Sequence, residues 1–336
     1  MLDFLFYIQA CVSCFLLSLI ISPLVISLIK REKVKQVILH YVDNHQTKAG
    51  TPTMGGIIFL ISISIIGFVF FQNSHTLASV AVLVFLAYGI NGFLDDFIKF
   101  KFKRNLGLRA YQKIIFQLAI AGAIAYFVYT SELVGSELYV PFVNVTIDVG
   151  WWIIPITIIV FLACTNSVNL TDGLDGLAGS TVMCYMLSFI FLMLVMLSTR
   201  LESLSTIAMF EYKNMIILAC VVVGAMLCFL LFNCFPAKIF MGDTGSLALG
   251  ALVASVCVLT RNTLFIPILG VMFVLSAVSV IIQVAYYKLT KKRVFLMAPL
   301  HHHFERKGVF EGRIVVCYAI ITSVVGMLVV LAELLF

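Results

Sequence analysis

Residues 88–104, YGINGFLDDFIKFKFKR, begin as the end of an apolar helix and finish in a run of positive charge. At the seam stand two adjacent carboxylates, Asp95 and Asp96. An isolated acidic pair in such a place reads equally well as a solvated helix end. Upstream, Leu77–Leu94 is an unbroken apolar run approaching the ~20 residues that cross a bilayer, so the pair marks the point where the chain leaves the membrane.

The same pattern repeats along the chain. Of 336 residues 62% are hydrophobic and 11% charged, with mean hydropathy +1.12, whereas a soluble domain carries about 25% charged residues. Long uniform runs, rather than short alternating strands, exclude a transmembrane barrel. The sequence predicts an all-α polytopic membrane protein with ten spans: Phe4–Ile29, Met54–Phe71, Leu77–Leu94, Ile114–Thr130, Trp151–Thr165, Leu177–Ser198, Met215–Phe232, Ser246–Thr260, Leu264–Tyr287 and Ile314–Phe336. The first is expected to be retained rather than cleaved, because no basic residue precedes it and KREKVK (30–35) follows it. The stretch 131–150 alternates enough to predict a small β-hairpin.

Charge sets the orientation. The connections after the odd-numbered spans hold all of the 22 Lys and Arg residues except Arg200, Lys213 and Arg261. By the positive-inside rule those connections are cytoplasmic and both termini are outside. The net charge of +6 then lies on one membrane face, suited to anionic headgroups or a phosphorylated substrate, with nucleic acid not expected as a partner. The nine cysteines show no metal-ligand spacing, and Cys11 and Cys14 read as helix packing.

Five polar stretches stand out: HQTKAGTPTMGG (45–56), DDFIKFKFKRNLGLRAYQK (95–113), NSVNLTDGLDGLAG (166–179), NCFPAKIFMGDTGS (233–246) and APLHHHFERKG (298–308). All fall on the predicted cytoplasmic side, while Glu132, Glu137 and Glu202 outside read as ordinary solvated positions. A transporter would place ionisable groups within its spans. Their confinement to one face suits an enzyme that joins a cytosolic substrate to a membrane lipid.

Asp172 and Asp175, three apart, could share a helix face, in a glycine-rich loop without Lys or Arg. Asp243, before Thr-Gly-Ser, serves equally as a helix cap or a metal ligand. His301, His302 and His303 lie among Lys291, Lys292, Arg293, Arg306 and Lys307, where imidazoles suit phosphate contact or proton transfer. Carboxylates for Mg²⁺ and cations such as Lys48, Lys99 and Lys113 for a diphosphate are what phosphoryl transfer requires. A divalent cation or a shared proton would also relieve the repulsion between Asp95 and Asp96.

Taken together and in order, TPTMGG, DDFIK, NLTDGLDGLAG, FPAKIFMGDTGSLALG and PLHHHFE resemble the signatures of the phospho-N-acetylmuramoyl-pentapeptide-transferase family, within the polyprenyl-phosphate N-acetylhexosamine-1-phosphate transferases. The resemblance implies a single transmembrane phosphoglycosyl transferase domain over 1–336, in the bacterial cytoplasmic (inner) membrane with its active site facing the cytoplasm. It implies Mg²⁺ dependence and a homodimer. It also implies the substrates UDP-N-acetylmuramoyl-pentapeptide and undecaprenyl phosphate, with UMP released. Carried over by motif, Asp95 and Asp96 would be catalytic carboxylates, with Asp95 the base on the lipid phosphate. Asp243 would hold Mg²⁺, with Asp95 and Asp96 as further candidate ligands, and His301 would be the principal histidine, beside His302 and His303. Asn169, Asp172 and Asp175 would serve the nucleotide, Phe240 would stack on uracil, and Asn233, Lys48, Thr53, Lys99 and Lys113 would surround the diphosphate and sugar. The stretch LHYVDNHQ (39–46) departs from the family pattern of a basic residue followed by Gly-Pro. The alternatives are a sister transferase of N-acetylglucosamine phosphate and, from another class, a lipid or drug transporter.

Overall fold

The computed structural model describes residues 2–31, 51–102, 107–200 and 205–335; Lys48 and the 39–46 stretch lie outside them. Among the described residues eight helices are long and apolar enough to cross a membrane: α1 (Leu2–Arg31), α3 (Thr76–Lys101), α4 (Ala110–Thr130), α5 (Ile153–Thr171), α6 (Leu177–Arg200), α7 (Thr206–Asn233), α10 (Val271–Thr290) and α12 (Glu311–Leu335). Two more apolar helices are shorter, α2 (Gly56–Phe70, 15 residues) and α8 (Gly242–Val258, 17 residues). The four-residue α9 (Ile266–Leu269) and seven-residue α11 (Leu300–Arg306) complete the helices of the described residues. The expected hairpin is present as β1 (Glu137–Val140) antiparallel to β2 (Val145–Asp148), with Glu137 opposite Asp148.

Several sequence-based boundaries shift, among them the carboxyl end of α5, which runs to Thr171 rather than Thr165. Helix α3 runs seven residues beyond Leu94, so Asp95, Asp96 and Lys99 ride on helix rather than on a loop. Helix α7 begins at Thr206, before the expected Met215. The expected span Leu264–Tyr287 is broken: a 3-10 turn and α9 stop at Gly270 before α10 restarts. Pro267 and Gly270 are the residues there that resist a continuous helix.

Helix α8 is the axis of the fold. Every residue from Thr244 to Val258 is buried, as expected of a helix that is apolar all round. Small residues let its neighbours come close. Gly56 of α2 lies against the Gly245 backbone, Gly92 of α3 against the carbonyl of Asp243, and Thr165 of α5 against Gly250. A Cβ at Gly92 would collide with that carbonyl. Gly92→Ala is therefore expected to destabilise the protein by about 1–3 kcal/mol, the scale of overpacking, read as a lower Tm in detergent. Gly122→Ala on α4, where a Cβ meets nothing, should leave Tm unchanged or raise it slightly.

The amino ends of two buried helices are satisfied from a distance. Glu211 of α7, fully buried, accepts from the Ser74 hydroxyl (2.6 Å) and from the backbone N–H groups of Thr76 (2.9 Å) and Leu77 (2.8 Å), capping α3. At the same end the hairpin is tied down by Glu137–Arg261 and Tyr139–Glu333 pairs. Glu137 is thus ion-paired rather than simply solvated. The carboxyl ends of α3, α5 and α7 and the amino ends of α4, α6, α8 and α12 meet at the opposite end of the bundle, where the polar motifs gather.

Candidate active site

The site is built on the amino end of α8, whose first N–H groups have no partner within the helix. Asp96 supplies one across the α3–α8 contact. It accepts from the N–H of Asp243 (3.2 Å) and Thr244 (2.9 Å) and from the Thr244 hydroxyl (2.7 Å). The cap that the sequence could have assigned to Asp243 is therefore made by Asp96, and the Asp243 side chain is turned elsewhere.

Oxygens of Asp95, Asp96 and Asp243 lie within 4.8 Å of one another. Two ammonium groups hold these like charges together. Lys99, one turn after Asp95, puts Nζ 2.6 Å from Asp95 Oδ2 and 3.0 Å from Asp243 Oδ2. Lys113, in the first turn of α4, reaches the same Asp243 oxygen at 2.8 Å. Asn169 in the last turn of α5 donates to Asp243 Oδ1 (2.8 Å) and to the Ser246 hydroxyl (2.7 Å). The other oxygen of Asp95 accepts from the Leu108 N–H at 2.8 Å. Three carboxylates face two ammonium groups, so the cluster keeps one formal negative charge. Four helices contribute to it, and Asp243 is the member all of them touch.

The segment before α2 lies beside this cluster. Phe240 N–H donates to the Pro52 carbonyl (2.9 Å), while Gly55 and Gly56 donate to the carbonyls of Phe240 (2.8 Å) and Met241 (3.0 Å). Thr53 lies next to Gly242 and Asp96, and Gly242 at φ +70° leaves no room there for a side chain. Phe240 is half-buried.

Asp172 and Asp175 lie in the turn between α5 and α6, not on a common helix face. Asp175 accepts from the Ala237 N–H at 2.9 Å, and its own N–H donates to Glu311 of α12 at 2.6 Å. Asn233 accepts from Gly176 N–H (3.1 Å) and donates to the Ile239 carbonyl (2.9 Å). Both side chains pin the 234–240 loop that carries Phe240. Burial, with Asp243, Asp96 and Asp175 nearby, pushes the Asp172 carboxyl up to about 8.

The three histidines separate. His301 is fully buried against Gly173, with neither ring nitrogen hydrogen-bonded among the described residues. Burial, reinforced by His302, lowers its pKa to about 3, so the ring is neutral. His302 pairs with Glu305 (2.8 Å). His303 accepts from the Leu296 N–H (3.1 Å), which turns it into its own loop.

Several residues escaped the sequence reading. Asn91, Gln117 and Asn166 lie one turn deeper than Asp95, Lys113 and Asn169, at the i±3 or i±4 spacing that shares a helix face. Asn166 donates to Gln117 at 2.9 Å. Both amide atoms of Asn91 and Nε2 of Gln117 have no partner among the described residues. The spacing could have flagged these three. Glu311, at the start of an apolar run, had no such signal.

Comparison with known proteins shows which family the sequence resembles. The family described as Glycosyl transferase family 4 matches residues 77–261, and the pattern described as Phospho-N-acetylmuramoyl-pentapeptide-transferase signature 1 matches residues 48–60. The chain is 44% identical over 319 residues to the phospho-N-acetylmuramoyl-pentapeptide-transferase of Clostridioides difficile (strain 630), covering 95% of each chain. To the relative of the same name in Clostridium novyi (strain NT) it is 42% identical, over 92% of this chain and 91% of that one. To the one in Clostridium perfringens (strain SM101 / Type A) it is 41% identical, over 94% of each.

Proposed function

We infer the reaction from the premise that the chain belongs to the phospho-N-acetylmuramoyl-pentapeptide-transferase family. The protein transfers phospho-N-acetylmuramoyl-pentapeptide from its UDP-activated form to undecaprenyl phosphate and releases UMP. An oxygen of the lipid phosphate forms a bond to the sugar-bearing phosphorus. The bond from that phosphorus to the bridging oxygen breaks, and UMP departs with the electron pair. The observation that carries this reading is the convergence of Asp95, Asp96, Asp243, Lys99, Lys113 and Asn169 at one end of the bundle.

The donor set fits Mg²⁺, a cation that takes carboxylate oxygens together with phosphate oxygens. Asp243 would hold it with Asp95 beside it, since both oxygens of Asp96 are already engaged as the α8 cap. When bound, the ion neutralises charge on the diphosphate. Lys99 and Lys113 supply positive charge to the phosphate oxygens, joined by Lys48 from the matched signature. Asp95 receives the proton of a monoanionic lipid phosphate. His301, neutral and buried, orients the substrate by hydrogen bonding near Gly173. Thr53 borders the diphosphate, and Asp172, Asp175 and Asn233 shape the nucleotide side. With most Lys and Arg residues on the site end, this end faces the cytoplasm of the bacterial inner membrane. Family membership supports a homodimer as the working assembly.

The test is UMP release from purified protein given both substrates, with and without Mg²⁺. Release that requires both substrates and the metal is expected. No release, or release only with UDP-N-acetylglucosamine, would refute the assignment, and the latter would make the protein a sister transferase.

Phe240, held at the loop edge by Pro52 and Gly55, is assigned to the uracil. Base–aromatic stacking contributes about 1–3 kcal/mol, so Phe240→Ala should raise KM for the UDP-sugar about tenfold and leave kcat near that of the parent. Steady-state kinetics at saturating lipid phosphate measure the split, and a fall in kcat alone would remove Phe240 from the nucleotide pocket.

A further inference from the structure

The turn DGLDG (172–176) and the first residue of α12 are far apart in the chain, yet a short hydrogen bond joins them. Glu311 Oε1 accepts from the buried Asp175 N–H at 2.6 Å, and Glu311 is itself buried. The same helix holds the turn in a second way. Leu174 and Leu177 pack with Ile314 and Tyr318 of α12 and Met272 of α10, in a hydrophobic cluster separate from the main core. A third contact reaches the neighbouring loop: Phe310, just before α12, meets Phe235 edge to face with ring centroids 5.5 Å apart.

From the turn the connection runs on to Phe240. The Asp175 carboxyl takes the Ala237 N–H, while Asn233 takes the Gly176 N–H and donates to the Ile239 carbonyl. The start of α12, the turn and the loop are thus one connected unit, and Glu311 stands at its far end. An acidic residue in the first turn of a helix has an ordinary explanation in the helix dipole. That explains a carboxyl at this position, but not its burial or its bond to a turn 136 residues away.

We propose that Glu311 is a positioning residue for nucleotide binding, which holds the Asp175 N–H and thereby fixes the turn, the 234–240 loop and Phe240. The proposal rests on the reading that this turn and loop take the nucleotide. Glu311 acts through Asp175 rather than on the reacting phosphates. Without its acceptor the buried N–H is unpaired, which is costly, so arrangements in which the turn opens to water compete with the closed one. A site that is formed for a tenth of the time binds about tenfold more weakly. Chemistry in the bound complex is unchanged, because binding selects the formed site.

The experiment uses the full chain in detergent. Steady-state kinetics in UDP-N-acetylmuramoyl-pentapeptide are measured at saturating lipid phosphate, and amide hydrogen exchange over 172–176 and 234–240 is measured without substrate. Glu311→Ala should raise KM for the UDP-sugar about tenfold, keep kcat near that of the parent, and speed exchange in both segments. Glu311→Gln retains an oxygen that can accept the N–H and should stay near the parent in both readouts. Glu311→Asp draws the carboxyl back from the turn; it should behave like Ala and supplies the test if Ala does not fold. Glu333→Gln, at the other end of α12 where Glu333 bonds Tyr139, should leave KM and exchange unchanged whatever it does to Tm. A parent-like KM in Glu311→Ala, with or without faster exchange, would overturn the proposal, and so would a Gln variant as impaired as Ala. Exchange is independent of what the site binds. A parent that released no UMP would refute the reaction, and unchanged exchange in Glu311→Ala would then overturn the tether separately.

Discussion

Asp243→Ala is expected to lower turnover by about 10²-fold or more, the usual cost of one strong electrostatic contact in a transition state, while the protein stays folded and binds detergent normally. The side chain is the convergence point of Lys99, Lys113 and Asn169. Its loss removes the proposed metal ligand and leaves two ammonium groups without their shared partner. Asp243→Asn separates these effects, because the amide still accepts hydrogen bonds but is a poor ligand for a hard cation. If the metal reading is correct, Asn is nearly as damaging as Ala, and a Mg²⁺ titration shows a raised half-saturation point for any residual activity. Should either variant keep more than about a tenth of parent activity at ordinary Mg²⁺, the ligand assignment fails. Tm distinguishes a chemical loss from an unfolded chain: the cap on α8 comes from Asp96, so α8 should survive.

For Asp95→Asn a fall in kcat of roughly 10²–10⁴ is expected, the scale on which a general base contributes, with nucleotide binding retained because the assigned uridine pocket lies around Asp175 and Phe240. In the structure one Asp95 oxygen accepts from Leu108 N–H and the other meets Lys99, so an amide can preserve the first contact but not the ion pair. The attacking phosphate complicates the test, since a phosphate monoester has a second pKa of ≈ 6 and at higher pH needs no base. A base role therefore predicts an acidic limb in the parent's pH–rate profile that is displaced or lost in Asp95→Asn. The measurement is made at saturating Mg²⁺. An acidic limb identical in both proteins would leave Asp95 as a metal or positioning group, which a changed Mg²⁺ dependence would then reveal.

The sequence reading differs from the structure most instructively at Asp96 and Asp243. From the chain alone, Asp243 before Thr-Gly-Ser reads as much a cap as a ligand, and Asp96 reads as a catalytic carboxylate and a further candidate ligand. Local rules assign a cap to the residue just before its helix. Here the α8 cap arrives from α3, and the α3 cap arrives from Glu211 on α7. Position in the chain does not reveal such partners, because they depend on which helices pack side by side. The histidines make the same point: three successive imidazoles are chemically identical in sequence, yet rotation around α11 buries only His301 and gives His302 and His303 partners of their own.

What the sequence determined by itself follows from period, composition and charge. Long apolar runs have few alternatives to membrane helices, because unpaired backbone groups are costly in lipid, and the bias of Lys and Arg orients the prediction. The polar motifs were legible because carboxylates, glycines and histidines are rare in such a chain. Only the tertiary structure decided that Asp95, Asp96, Asp243, Lys99, Lys113 and Asn169 form one cluster, that α8 is its buried axis, and that Asn233 and Asp175 hold a loop. These are contacts between helices far apart in sequence, set by how small residues such as Gly92 and Gly56 let the helices approach. Spacing along a helix encodes a face, but which face meets which neighbour is settled by packing.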